Sequence, residues 1–198
     1  AVLLAVRLHA RNGDTSPIAA GFYEMLLAST FSATETDREL ARSWLAYSRF
    51  EAGDIDGAYG LLASRLRATV PMTRRDLVTF GRCASLLSRF DEAADTFAQA
   101  AGEWGDDADL SFRLGCAAGN AGRFEQSRDA LARSLEFQPG QDNVELALGM
   151  AFIGLGVFDQ ALAHLDRARS AGASPQQGEP ALAVAAIGSG DHERARTV

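Results

Sequence analysis

Two cysteines, three histidines and 26 carboxylates are the side chains here with the means to do chemistry. Cys83 and Cys116 lie 33 residues apart, outside any Cys-x-x-Cys motif and with no histidine partner nearby. A structural zinc takes about four ligands, and two cysteines make no disulfide framework, so both read as buried structural thiols. His9, His164 and His192 are too dispersed to form a pair with metal-ligand spacing. The stretch from Gly149 to Gly156 lacks the preceding strand and the Gly-Lys-Ser/Thr ending of a phosphate loop. No Gly-x-Ser-x-Gly nucleophile elbow occurs. The abundant Asp and Glu read as solvated surface charge. The expectation is no catalytic residue, no cofactor, no metal and no enzyme.

Composition bounds what is left. A chain of 198 residues, 47% hydrophobic and 23% charged, can bury a sizeable core and is not intrinsically disordered. The net charge of −7 argues against a general binder of polyanions. Lys is absent and Ala occurs 37 times, a bias that fits a GC-rich, bacterial genome. The longest charge-free apolar run, Leu146 to Phe158, is thirteen residues. A spanning helix needs about 20, so no membrane insertion is expected. The opening Ala-Val-Leu-Leu-Ala-Val-Arg-Leu-His carries Arg7 and reads as an amphipathic helix, not a signal peptide, which suits a cytoplasmic protein.

The organising signal is a repeat. Ser-Arg-Phe-Asp-Glu-Ala (88–93), Gly-Arg-Phe-Glu-Gln-Ser (122–127), Gly-Val-Phe-Asp-Gln-Ala (156–161) and Gly-Asp-His-Glu-Arg-Ala (190–195) follow one another every 34 residues. Gly-Asp-Ile-Asp-Gly-Ala (53–58) lies 35 residues upstream of the first. A helical pattern flanks each string on both sides, as with Leu110, Leu114 and Ala118 before the third and Ala130, Leu131 and Leu135 after it. Gly53, Gly122, Gly156 and Gly190 end the first helix of each pair, and Ile55, Phe90, Phe124 and Phe158 plug the joint. Ser88 and His192 depart from these columns, so their joints are expected to be less regular.

Small residues recur where paired helices must touch: Ala46, Gly81, Gly115, Gly149 and Ala183 in the first helices, Ala58, Ala93, Ser127, Ala161 and Ala195 in the second. Beside the first column stands a large apolar residue each time, Leu45, Phe80, Leu114, Leu148 and Leu182, expected in the core. The period, the small–large pairing, the Gly turn and the closing Pro139 together resemble the tetratricopeptide repeat (TPR) family over residues 39–198. The resemblance implies an all-α right-handed solenoid of five helix-turn-helix repeats: 39–73, 74–107, 108–141, 142–175 and an incomplete 176–198. The family's mid-helix aromatic is replaced by Ala84, Ala118 and Ala186. Residues 1–38 read as a degenerate N-terminal pair, with helices over roughly 1–12 and 17–31 and Ser16-Pro17 starting the second. The second helix of the last repeat is expected to stop at Val198, without a polar capping helix after it.

In the TPR family the first helix of each repeat lines a concave groove that takes many kinds of ligand. Carried onto this sequence, that groove begins with Leu40, Trp44, Tyr47 and Phe50. It continues through Arg75, Val78 and Arg82 to Asp109, Phe112, Arg113, Cys116 and Asn120. It ends with Asn143, Leu146, Met150, Ile153, Val184 and Ile187. An apolar patch of this kind marks a contact surface, suited to an amphipathic helix or an extended peptide with hydrophobic anchors. Arg75, Arg82 and Arg113 are candidates for holding a partner's carboxylate; the alternative is that they pair with acids of the chain itself. The family's Lys-based carboxylate clamp and its asparagine ladder are both absent, and the mixed column Leu40, Arg75, Asp109, Asn143, Gln177 speaks against RNA readout. The implied function is a protein-interaction scaffold or adaptor. The alternative is a regulatory or docking domain excised from a larger enzyme or transcription regulator, and uncapped ends leave room for homo-oligomers.

Overall fold

The computed structural model describes residues 1–29, 33–66 and 70–197, and among these every regular element is an α-helix. The chain divides into two compact units, Ala1–Arg89 and Phe90–Val198. The first holds α1 (Val2–Arg11), α2 (Pro17–Ala28), α3 (Glu35–Glu51), α4 (Ile55–Arg65) and α5 (Arg74–Leu86). The second holds α6 (Phe90–Trp104), α7 (Ala108–Asn120), α8 (Phe124–Phe137), α9 (Asp142–Gly154), α10 (Phe158–Ala171), α11 (Pro175–Ser189) and α12 (His192–Thr197). The two helices of the 74–107 repeat therefore fall in different units. The expected helix over 17–31 ends at Ala28, and Phe31 lies outside the described residues, as does Val198.

Local chemistry starts these helices. Ser16 accepts from the Ala19 N–H ahead of Pro17 at the first turn of α2. Thr34 with Asp37, and Thr73 with Asp76, form reciprocal capping boxes at the starts of α3 and α5. The turns between paired helices share one hydrogen-bond pattern. At Gly122 (φ 76°), its N–H donates to the Gly119 carbonyl at 3.1 Å and the Arg123 N–H to Ala118 at 2.8 Å. That is a Schellman closure, which satisfies the last carbonyls of α7. The joint at Ser88 corrects an expectation: with φ 57° it makes the same two bonds, Ser88 to Ser85 at 3.1 Å and Arg89 to Ala84 at 2.8 Å. The serine tolerates a left-handed backbone there rather than loosening the turn. The joint at Gly190 is equally regular, its N–H donating to Ile187 and that of Asp191 to Ala186. His192 is exposed just beyond it.

The small and large columns explain the close packing. Leu45, Phe80, Leu114, Leu148 and Leu182 are all buried, each worth about 1.5–3 kcal/mol of apolar burial. A Cβ on Gly115 would lie 2.5 Å from Leu131 Cγ, and one on Gly149 2.7 Å from Leu165 Cγ. Successive repeats are also keyed together: a Cβ on Gly154 would meet the Phe124 ring at 2.4 Å, and one on Gly188 the Phe158 ring at 2.5 Å. Phe124 and Phe158 thus each lie against a glycine of the following repeat's first helix.

Candidate functional site

In the second unit the first helices of successive hairpins touch directly, α7 against α9 and α9 against α11. Their shared wall carries two adjoining clefts. One, of about 180 Å³, is floored by Gly115, Gly119, Ser127 and Ala147 and rimmed by Cys116, Asn120 and Met150. The other, of about 300 Å³, lies between Met150 and Ile153 of α9 and Gln177, Pro180, Ala181 and Val184 of α11. Small side chains open the first cleft because α7 and α8 approach too closely there for anything larger, Ser127 Oγ donating to the Gly115 carbonyl at 2.8 Å. Met150 lines both clefts and is 55% exposed. Val184 and Ile187 are exposed as well, whereas Phe112, Leu146 and Ile153 are half-buried with one side on the core.

Polar groups on this wall are occupied within the chain. Arg113 Nε donates to Asp109 Oδ2 at 2.7 Å, one helical turn away. Asn120 Nδ2 donates to the Cys116 carbonyl, and Asn143 Oδ1 accepts from the Val144 N–H. Burial pushes the Cys116 thiol up to about 11, against a small opposing pull from Arg113. At neutral pH it is a protonated, soft apolar surface rather than a nucleophile. It is half-buried at the cleft, a correction to its reading as a buried thiol; Cys83 is fully buried in the first unit.

The first unit has its own row, α1 against α3 and α3 against α5. Trp44, Tyr47 and Val78 are half-buried on it, while Phe50 is only 9% exposed and packs with Ala58 and Cys83. The Arg75 guanidinium stacks 3.5 Å from the Trp44 ring centre and 5.5 Å from that of Tyr47. Arg82 stacks 4.2 Å over Phe50. The three candidate arginines are therefore in unlike settings: Arg113 is ion-paired, whereas Arg75 and Arg82 lie on aromatic faces.

Beneath this row lies a feature that contradicts the reading of the acids as solvated surface charge. Glu39, Arg65 and Asp76 are each at least 97% buried, with Arg65 Nε 2.8 Å from Glu39 and its Nη1 2.5 Å from Asp76. Arg42 also bonds Glu39, and Ser43 donates to Asp76. Burial alone would raise the Asp76 pKa. The Ser43 hydroxyl, the Thr73 backbone N–H and hydroxyl, and Arg65 outweigh it and hold the carboxyl below its ordinary range. Glu145 is a further buried acid, bonded to His164 Nδ1 at 2.7 Å. The Thr-x-x-Asp spacing at 73–76 was the available sequence signal for Asp76. Nothing in the helical period marks Arg65 as its partner.

Charge differs sharply between the units. Residues 1–89 carry 9 acids and 11 arginines, net +2, and residues 90–198 carry 17 acids and 8 arginines, net −9. Among the described residues no cluster of His, Cys, Asp and Glu could hold a metal, and no helix is long and apolar enough to cross a membrane.

No protein-family model matches the sequence, and no curated protein does. Solved structures do match. YrrB, a TPR protein with an unusual peptide-binding site, superposes with a TM-score of 0.75 at 17% identity, over 89% of this chain and 87% of that one. MamA (AMB-1) gives a TM-score of 0.69 at 24% identity, over 85% of this chain and 89% of that one. A tetratricopeptide repeat protein from Parabacteroides merdae gives 0.63 at 14% identity, over 79% and 62%. The chain has the TPR fold.

Proposed function

We propose that the chain is a protein-interaction module in which the α7–α9–α11 row receives an apolar segment of a partner protein. The carrying observation is the pair of adjoining clefts with Met150 between them. Apolar volume that the chain does not fill, bordered by exposed Met150 and Val184 with exposed Ile187 one turn further along α11, suits the apolar stripe of an amphipathic helix. Phe112, Cys116, Leu146, Met150, Ile153, Val184 and Ile187 are its contact residues, with Asn120 and Asn143 at the edge. The net −9 of this unit favours a partner segment whose polar face is basic, since complementary charge speeds encounter and disfavours acidic competitors. Fold alone does not give function. What supports the reading is the site, with the peptide-binding description of YrrB as analogy. Two unpaired thiols suit a reducing compartment, and we place the protein in the cytoplasm.

The test is a fluorescence-anisotropy titration with a labelled amphipathic model helix bearing a leucine stripe and a lysine face. Met150→Glu combined with Ile153→Glu puts two carboxylates where the apolar stripe would rest. Affinity is expected to fall about a hundredfold, equivalent to about 3 kcal/mol, with circular dichroism unchanged. Equal binding by the double variant, or loss of helix along with binding, would contradict the assignment.

A further inference from the structure

The first unit carries a binding chemistry of its own. We propose that the seam between α3 and α5 is a docking site for an acidic, extended peptide segment whose side-chain carboxylates engage Arg82 and Arg75. This goes beyond the apolar site of the second unit and does not depend on it.

Among the described residues, two arginines of this seam pair with no acid. Arg82 lies flat on Phe50, and among the described residues no carboxylate is within ion-pair distance of it. Arg75 lies on Trp44, donates from Nη2 to Ser43 Oγ at 3.1 Å, and has a buried Nε with no hydrogen-bond partner. The acids nearby are committed elsewhere. Glu39 is held by Arg65 and Arg42, Asp76 by Arg65, Ser43 and Thr73, and Asp37 by Arg7. On the second unit's row the corresponding cation is already neutralised, Arg113 by Asp109. The surplus also shows in bulk: this unit is net +2 in a chain that is net −7.

Stacking makes these cations good receptors. A guanidinium resting on a ring has its plane fixed, which prepares it for a carboxylate; Arg75, whose Nε is buried and whose Nη2 is on Ser43, would engage one through Nη1. Arg75 and Arg82 are seven residues apart on one helix face, about 10.5 Å along the axis. A peptide in the polyproline II form rises about 3.1 Å per residue with three residues per turn, so side chains three positions apart share one face about 9 Å apart. Two acidic side chains three positions apart therefore match the two arginines.

The experiment titrates the full chain with a labelled, N-acetylated and C-amidated hexapeptide bearing glutamates at its second and fifth positions. Saturable binding, weakened by added salt, is expected, and replacing both glutamates by glutamine should lower affinity at least tenfold. Arg82→Met keeps the stem on Phe50 and drops the charge; it should lose at least tenfold in affinity while circular dichroism and melting temperature hold. Met150→Glu with Ile153→Glu should leave this binding unchanged, which separates the two sites. Absence of binding, equal affinity for the glutamate and glutamine peptides, or undiminished binding by folded Arg82→Met would each overturn the proposal. If Arg82→Met does not fold, the two peptides on the unaltered protein decide. A peptide that binds only when its C-terminus is a free carboxylate would overturn it too.

Discussion

Arg65→Met is expected to destabilise the protein by about 3–5 kcal/mol, measured by urea unfolding at neutral pH. The side chain is 3% exposed; it hydrogen-bonds the Glu39 carboxylate and is ion-paired with that of Asp76, which are 2% and 1% exposed. Methionine fills much the same space, so the loss does not come from a cavity. It comes from leaving Glu39 and Asp76 buried with too little positive charge beside them. Acid should test this further. Because the Asp76 pKa in the folded protein is lowered below its ordinary value of 3.8, its contribution to stability is fully present above that value and is lost as pH falls through the folded one. In the variant, desolvation of the same carboxyl is offset only by Ser43 and Thr73, so protonation relieves part of the cost. The stability gap should narrow on acidification. A gap below about 1 kcal/mol at neutral pH, or one that does not depend on pH, would mean the guanidinium acts only as packing.

Gly115→Leu is expected to cost about 3 kcal/mol. Its first added carbon would stand 2.5 Å from Leu131 Cγ and 3.3 Å from the Leu131 backbone nitrogen, and Leu131 is fully buried. Neither neighbour has room to retreat, so α7 and α8 must separate. Gly102→Ala is the control: it sits within α6 with nothing within 4 Å of the new carbon, and it should stabilise by about 1 kcal/mol through helix propensity. Thermal melts of the pair check both signs. A tolerated leucine at residue 115 would show that the small column does not set the helix spacing.

What could be read from the sequence was whatever repeats. A period of 34 residues averages over local noise, so Gly122, Gly156 and their buried neighbours Leu114 and Leu148 stood out as columns. Even there a column names a residue type rather than a geometry: Ser88 adopts the same left-handed turn as the glycines. Features that break the period were hidden. Arg65 has no counterpart in the other repeats, and its pairing with Glu39 and Asp76 links residues 26 and 11 positions away on different helices. Phe50 was expected on the groove because helical spacing gives a face but not a depth. It sits at the end of α3, where the turn into α4 folds it inward against Ala58 and Cys83. The arginine settings were equally out of reach, since neither a stacked aromatic on another helix nor the absence of an acid is a property of spacing. The clefts around Met150 lie between these extremes: their apolar rims follow the helical period, while their volume depends on small floor residues whose evident role was helix contact.

The most direct test of the account uses the three methionines as reporters, Met150 between the clefts of the second unit and Met25 and Met72 in the first. Methyl-labelled methionine gives one NMR signal for each. On titration with the leucine-striped helix, the Met150 methyl should shift and broaden while the other two hold still. A Met150 signal that stays put while Met25, itself 53% exposed on α2, responds would place the binding surface elsewhere and contradict the account.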